Sequence, residues 1–595
     1  MAVPLAEGLS STREAWEKAT AAVLRKTRRL AEDTSDTDVW DVLTTRTLDG
    51  IAVTPLGTPE LTADLPSAGL PGQSPFTRGA TAARENRAWD VRGWFTDPDA
   101  ERTAADVVTD LENGVNSLWL TVGDDGVPTA SLATVLEPVF VDLAPVVVQD
   151  PHDPLAAAQA LAAVLDDKAV QAHGGTNLGA DPIGNALRGR GQTDPAVAVE
   201  VARLAAPLGV RAIVVDGTAV HDAGASDVQE LAYLLAAGAA YLRLLVDAGF
   251  SVDEAAGLLE FRIAATDEQL PTIAKLRAAR RTWARVAELS GVAEEARGQL
   301  QHAVTSRPMM TTFDPYVNML RTTVAAFAAG VGGAASVTVL PFDEPLGLPE
   351  AFSRRIARNT SSLLISESHV ATVTDPAGGS HVVEQLTDDL ARAAWAAFGA
   401  LEEAGGVLDA LDDIRAGIER TVSERSLEIA TRQRPLTGVS EFPNLEEELP
   451  ERRPYASAPV VHRYAHEYEQ MRHDRAETPV FLATMGPIAA HTARATFAAN
   501  LFAAGGVDTV VAGATAGVDE VLAAYDGSPV VCLAGPDTAY AEWGADLVPA
   551  LREAGARHVI VAGKEKVATE IGADDSAAMG LDALAFLRRT REELV

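Results

Sequence analysis

Six short runs rich in β-branched and apolar residues, each followed by enough chain for a helix, constrain this sequence more than any other feature. They are SLWLTVG (117–123), PVFVDLA (138–144), VRAIVVDG (210–217), FRIAAT (261–266), MMTT (309–312) and SVTVLPFD (336–343). The runs are apolar throughout instead of alternating, the pattern of strands buried on both faces by crossover helices, and it predicts a parallel sheet. Spread over roughly 280 residues, the pattern suits an eight-stranded (β/α)8 barrel better than an open sheet.

The same alternation returns near the C-terminus in VFLATM, DTVVAG, SPVVCLAG and RHVIVAG. Over the last hundred or so residues it predicts a small doubly wound, flavodoxin-like domain, which holds ligands at the carboxyl ends of its strands. Between the two, charge-rich helical segments flank RPLTGVSEFPNLEEELPERRP, a stretch expected to cross the surface. The expected organisation is therefore an N-terminal arm over 1–60, a barrel over 61–404, a helical linker over 405–478 and a flavodoxin-like domain over 479–595. Within the arm, an amphipathic helix is expected around 16–31. The segment TLDGIAVTPLGTPE (47–60) has the Gly and Pro spacing of an extended piece suited to wrapping a partner.

Charge and cysteine content exclude several classes. A net charge of −35 argues against nucleic acid and against anionic membrane surfaces. The single cysteine, Cys532, permits no intrachain disulfide and no CxxC metal site, which fits a reducing compartment. The N-terminal MAVPLAEGLSSTREAWEK carries charges where a signal peptide needs an apolar run, so the cytoplasm is the expected location. The apolar stretch 231–249 contains Arg243 and Asp247 and reads as a core helix. His462, His466 and His473 with Glu467 could present metal ligands on one helix, although HRYAHE lacks the HExxH order. No GxSxG elbow and no GxxxxGK[ST] phosphate loop occurs.

The segment VFLATMGPIAAHTARATFAANLF (480–502) combines a strand, a loop with a lone His491 and an Ala-rich helix. Together with FTRG (76–79), AGASDVQELA (223–232), IAKLRAARRTWA (273–284), DPYVNMLRTT (314–323), RIARNT (355–360) and TDPAGGSHVVE (374–384), it resembles the adenosylcobalamin-dependent acyl-CoA mutases, specifically the methylmalonyl-CoA mutase family, over about residues 45–595.

The resemblance also shows where this chain departs from the family. The lower-ligand motif Asp-x-His-x-x-Gly reads Ala489, His491 and Arg494: the imidazole remains, its orienting carboxylate is a methyl group, and a guanidinium stands where glycine would let the ligand approach. A Tyr-His pair that positions the thioester reads Thr218 and Ala219, with His221 two residues on. The radical-steering tyrosine corresponds to Trp94, while Arg87 and Arg92 match family arginines. A His-x-Gln pair reads His302-Ala303-Val304, Glu344 matches a glutamate facing the cofactor, a cofactor-tail serine reads Cys532, and a Gly-Gly turn reads Ala562-Gly563.

These departures together imply the small, non-catalytic subunit of a heterodimeric enzyme. Its large subunit would carry adenosylcobalamin and interconvert (R)-methylmalonyl-CoA and succinyl-CoA, while this chain would carry no cofactor, no metal and no catalytic residue. Two alternatives stand beside that reading: an independent mutase of another acyl-CoA reusing Thr218, His302 and Glu344, and an acyl-CoA-sensing regulatory subunit. His491 is either a cobalt ligand or a remnant held by a backbone hydrogen bond, with Arg494 filling the vacated groove against a carboxylate.

Overall fold

The computed structural model of the protein describes residues 12–82 and 88–595. Helix Arg13–Lys26 begins at Thr12, whose hydroxyl accepts from the Ala15 N–H, the usual satisfaction of an orphan helix donor. It ends sooner than the amphipathic pattern suggests, because Thr27 caps it and Arg28 turns left-handed at φ 59°. Its buried Ala21 and Leu24 pack with Leu30 and Val39, and Trp16 meets Trp40 at 4.7 Å. Strands β1 (Thr45–Arg46) and β2 (Ala52–Val53) follow as a short antiparallel hairpin.

Eight parallel strands then close into a barrel: β3 (Asp90–Phe95), β4 (Ser117–Thr121), β5 (Val146–Gln149), β6 (Asn177–Ala180), β7 (Arg211–Asp216), β8 (Leu259–Ala265), β9 (Gln301–Thr305) and β10 (Ser336–Thr338). Pairing of β10 with β3 completes the ring. Two of the runs expected as strands are not strands. PVFVDLA is a turn segment that leaves Phe140 72% and Leu143 71% exposed, and the strand is VVVQ just after it, whose three valines are buried. MMTT lies in the turn beyond β9, whose own sequence, QHAVT, hides its strand character behind two polar residues. Strands β3 and β6 escape a hydrophobic scan for the same reason, since each sends a polar side chain, Arg92 or Asn177, into the interior.

The outer wall is helical. Helix Asp227–Asp247 starts with a capping box between Ser226 and Gln229, and it packs with helices Gln269–Leu289 and His381–Glu403. No helix among the described residues is long and apolar enough to cross a membrane.

The C-terminal sheet comprises β11 (Val480–Thr484), β12 (Thr509–Val511), β13 (Val530–Ala534), β14 (His558–Val561) and a two-residue β15 (Asp575–Ser576) that the sequence pattern does not signal. All pair parallel in the order β12-β11-β13-β14-β15, so the order reverses between β11 and β13. Alternate residues serve two cores: Leu482, Cys532 and Ile560 face Phe502 and Phe586, while Phe481, Val531 and Val559 face Leu547.

The segment between helices Leu411–Ala430 and His466–His473 does more than cross an open surface. From 452 to 464 it straps the carboxyl end of the barrel. Arg453 pairs with Asp97 beyond β3, and its carbonyl accepts from Leu348 N at 2.7 Å. Arg452 pairs with Asp343, and the Tyr455 hydroxyl donates to the Glu344 carbonyl at 3.0 Å, both beyond β10. On the far rim, His462 N donates to Asp222 O at 2.7 Å and Tyr464 N to Pro308 O at 2.9 Å.

Candidate functional site

Barrel enzymes place their chemistry at the carboxyl ends of the strands. Under the strap lies a cavity of about 450 Å³, lined by Trp94, Trp119, Arg188, Asp216, Thr218, Ala219 and Arg307 among others. Three of the expected site positions, Trp94, Thr218 and Ala219, therefore meet here. Their chemistry is inward-turned. The Thr218 hydroxyl donates to Asp216 Oδ1 at 2.6 Å, and Arg188 Nη2 donates to Asp216 Oδ2 at 2.8 Å and to Thr218 Oγ1 at 3.2 Å. Burial alone would raise the Asp216 pKa, but Arg262 and Arg188 outweigh it and hold the carboxyl well below its usual range. Asp181, beside that charge, goes the other way and is pushed up to about 7, chiefly by burial. Trp94 gives its indole N–H to Thr121 Oγ1 at 3.0 Å and lies 6.0 Å from the Tyr455 ring.

His302 and Glu344 do not reach the cavity surface. His302 is fully buried on β9: its Nδ1 accepts from Arg262 Nε at 3.2 Å, so Nε2 carries the proton and donates to Thr338 Oγ1 at 2.8 Å. Burial, reinforced by Arg92 and Arg262, pushes its pKa well below the ordinary histidine value, and it stays a neutral strut. Glu344 sits behind Arg307, accepting from its Nε at 3.0 Å, with burial raising its pKa. His221 turns away from the cavity, its Nε2 2.7 Å from Ser306 Oγ, and it lines a separate cleft behind the barrel wall. Arg87 lies outside the described residues. Arg92 is 4% exposed and points down the barrel axis.

That axis is filled. Arg92 Nη1 donates to Glu260 Oε1 at 2.5 Å and its Nε to Ser117 Oγ at 2.8 Å, while Asn177 Nδ2 reaches Glu260 Oε2 at 3.2 Å. One layer up, the Arg262 guanidinium lies 3.9 Å from the Trp119 ring centre and donates to Gln149 Oε1 at 2.8 Å and Asp216 Oδ2 at 3.1 Å. Trp119, Val147, Val214, Val304 and Leu340 complete the plug. Sequence reading missed this network because its members come from separate strands, and only the charged residues set within the otherwise apolar strands β3, β7 and β8 hint at it.

In the C-terminal sheet, His491 and Arg494 are not on a loop. Helix Ile488–Ala504 begins ahead of both, and Ala489 is in its first turn. The His491 Nδ1 donates to the Gly486 carbonyl at 3.0 Å, and the residue is 5% exposed. Arg494 bridges the crevice at the strand-order reversal: Nη1 donates to Gly535 O beyond β13 at 2.6 Å, and Nη2 to Asp537 Oδ1 at 2.5 Å. Below it Tyr540 binds Gly535 N at 2.9 Å, Leu533 O at 3.1 Å and Ala562 O at 3.0 Å. Cys532, the counterpart of a serine at the cofactor tail, is fully buried within β13, and burial pushes its thiol up to about 12.

The residues here differ from the family's corrin site. His491 is 5% exposed and lies on a helix instead of the open loop that the resemblance implies. Its Nδ1 partner is a neutral carbonyl, which raises ligand basicity less than a carboxylate. The histidines proposed as metal ligands fare similarly: His462 precedes the helix that holds His466 and His473, and no metal-binding group of three or more ligands occurs among the described residues.

A closed (β/α)8 barrel strapped to a flavodoxin-like domain defines the class, that of the cobalamin-dependent mutases. A profile for methylmalonyl-CoA mutase matches residues 200–525. The methylmalonyl-CoA mutase small subunit of Streptomyces virginiae is 47% identical, over 99% of this chain and 98% of its own. The small subunit from Propionibacterium freudenreichii subsp. shermanii is 38% identical over 98% and 95%. Methylmalonyl-CoA mutase of Cereibacter sphaeroides is 31% identical over 70% of this chain and 64% of its own. The chain belongs to the methylmalonyl-CoA mutase family, whose isomerisation depends on cobalamin.

Proposed function

We propose that this chain is the non-catalytic partner in a heterodimeric methylmalonyl-CoA mutase. It supports a large subunit that binds adenosylcobalamin and interconverts (R)-methylmalonyl-CoA and succinyl-CoA. The observation that carries the reading is the filled barrel axis: an extended acyl thioester has no passage past the Arg92–Glu260 pair and the Trp119–Arg262 stack. The Arg494 bridge across the crevice and the confined His491 support the same conclusion from the second domain. Along the axis the charged groups are turned on one another, Arg92 on Glu260 and Asp216 on Arg188 and Arg262, and this supports a structural role for them.

The N-terminal arm, with exposed Val23 and the hairpin β1–β2, is the segment assigned to partner contact. An obligate interface of this kind buries on the order of 2,000–5,000 Å². The deciding measurement is cobalamin content of the purified heterodimer. One cofactor per pair is expected, and two would overturn the proposal.

A further inference from the structure

Away from both sheet ends, a cleft of about 420 Å³ opens on the outer wall of the barrel between helices Gln269–Leu289 and His381–Glu403. Four guanidinium groups surround it, those of Arg281, Arg285, Arg297 and Arg392, and Trp395 forms part of the wall. In a chain with 84 acidic and 49 basic residues this is an unusual concentration of positive charge.

The local pairing leaves that charge unbalanced. Asp388 alone receives both Arg281 Nη1, at 2.8 Å, and Arg392 Nε, at 2.5 Å. Glu288 alone serves Arg285 Nη1, at 2.5 Å, and Arg297 Nη1, at 4.0 Å. Asp389 also acts on Arg392, so three carboxylates against four guanidinium groups leave a surplus of one positive charge. A guanidinium has five N–H donors, and each of these spends only one or two in the bonds named here or, for Arg297, in its bond to Val292 O at 2.9 Å. The side chains of Arg285 and Arg392 are 53% and 68% exposed, so an incoming anion can reach them. Trp395 is held edge-on by Phe398 at 5.5 Å between ring centres, which fixes an aromatic surface beside the charges.

The geometry points to a nucleotide-binding site in this cleft, with the base against Trp395 and the phosphates among Arg285, Arg297 and Arg392. Forked guanidinium donors suit phosphate oxygens, an indole suits a flat heterocycle, and the volume is that of a small-ligand pocket. No glycine-rich phosphate loop is needed, which is why motif scanning passes over the site. The site is independent of the subunit's architectural role.

Calorimetric titration of the full-length chain with ADP, pyrophosphate and adenosine tests it. ADP is expected to bind about tenfold more tightly than either fragment, because base and phosphate contacts act together. The double reversal Arg285→Glu, Arg392→Glu, at two exposed positions, lowers ADP affinity about a hundredfold. Trp395→Leu weakens ADP about tenfold and leaves pyrophosphate unchanged, while Trp395→Phe, which keeps a ring, retains ADP binding and controls for lost packing. Absence of ADP binding, pyrophosphate binding as tight as ADP, or indifference to the charge reversal would each overturn the assignment.

Discussion

Arg494 reaches across the crevice between β11 and β13 to Asp537, Nη2 to Oδ1 at 2.5 Å, and the same guanidinium lies 5.1 Å from the Tyr540 ring centre. A doubly wound sheet opens such a crevice where its strand order reverses, and ligands enter there. In this protein the opening is occupied by the chain's own side chains. On the proposed reading, a single substitution is not expected to open a cofactor site there.

The double variant Ala489→Asp, Arg494→Gly rebuilds the family's lower-ligand sequence around His491. It is expected to leave the absorption spectrum of added hydroxocobalamin unchanged, because the helix still starts at Ile488 and the imidazole remains turned to the Gly486 carbonyl. A spectral shift to a histidine-bound corrin would show that sequence alone withholds the ligand.

The barrel plug predicts an asymmetric mutational cost. Glu260→Ala leaves Arg92 buried without its carboxylate and also strips Asn177 of an acceptor, so destabilisation of about 3–5 kcal/mol is expected. Replacing both charges, as in Arg92→Met, Glu260→Leu, removes the unpaired ion and is expected to cost less. Urea unfolding followed by tryptophan fluorescence distinguishes the two, since Trp119 lies in the layer above.

The two parallel architectures are legible in the sequence because crossover helices bury both faces of each strand, turning strands such as AIVV and VVCLA into plain apolar runs. The strand register of β5 and β9 is not, and the reason is physical. Phe140 and Leu143 are apolar but exposed, while Gln301 and His302 are polar but buried and satisfied by Arg280 and Thr338. Hydrophobicity predicts burial only where polar groups lack partners, and this barrel supplies partners along its axis. Trp94, Thr218 and Ala219, far apart in the sequence, line one cavity. The Tyr455 strap and the Tyr540 fill depend on contacts between distant segments that one sequence does not display.

Cys532 offers a compartment-independent check on the C-terminal core. With its thiol pushed up to about 12 by burial and its side chain fully enclosed, very little thiolate exists near pH 8. Native protein is expected to resist a chromogenic disulfide reagent, and the unfolded chain to yield its one thiol at once. Rapid labelling of folded protein would mean that β13 is accessible, against the packing described.

Asp49 ties the β1–β2 hairpin to the start of helix Asp227–Asp247, accepting from Ser226 Oγ at 2.5 Å and Val228 N at 3.3 Å. Burial raises its pKa to about 6; the Ser226 hydroxyl opposes the shift, the nearby Asp227 adds to it, and the Val228 N–H and Lys275 oppose it. The folded value thus exceeds the unfolded one, near 3.9. Its stabilising contribution is complete below the unfolded value and is lost as pH rises through about 6. Hydrogen exchange in residues 45–53, corrected for intrinsic rates, is therefore expected to be slower near pH 5 than near pH 8, and Asp49→Asn should abolish the difference. Equal protection at both values in the unmodified chain would show that the hairpin is anchored elsewhere.

The strap across the barrel mouth is fastened at one rim by Arg452 to Asp343 and Arg453 to Asp97, and at the other by backbone bonds to Asp222 and Pro308. The Arg453–Asp97 pair is partly exposed and worth on the order of 1 kcal/mol, whereas Arg452 pairs with a fully buried Asp343, and leaving that carboxylate unpaired costs about 3–5 kcal/mol. Losing both in Arg452→Ala, Arg453→Ala should raise local opening by more than about thirtyfold while the barrel, whose core lies beneath, keeps its global stability. Limited proteolysis reads this directly, through faster cleavage within 452–464 at an unchanged unfolding midpoint. Tyr455→Ala provides the complement: it removes the hydroxyl bond to Glu344 and the ring beside Trp94 but leaves both ion pairs, so cleavage should rise less. If all three proteins were cut at the same rate, the strap would be held by the far rim alone, and the paired arginines would be surface decoration.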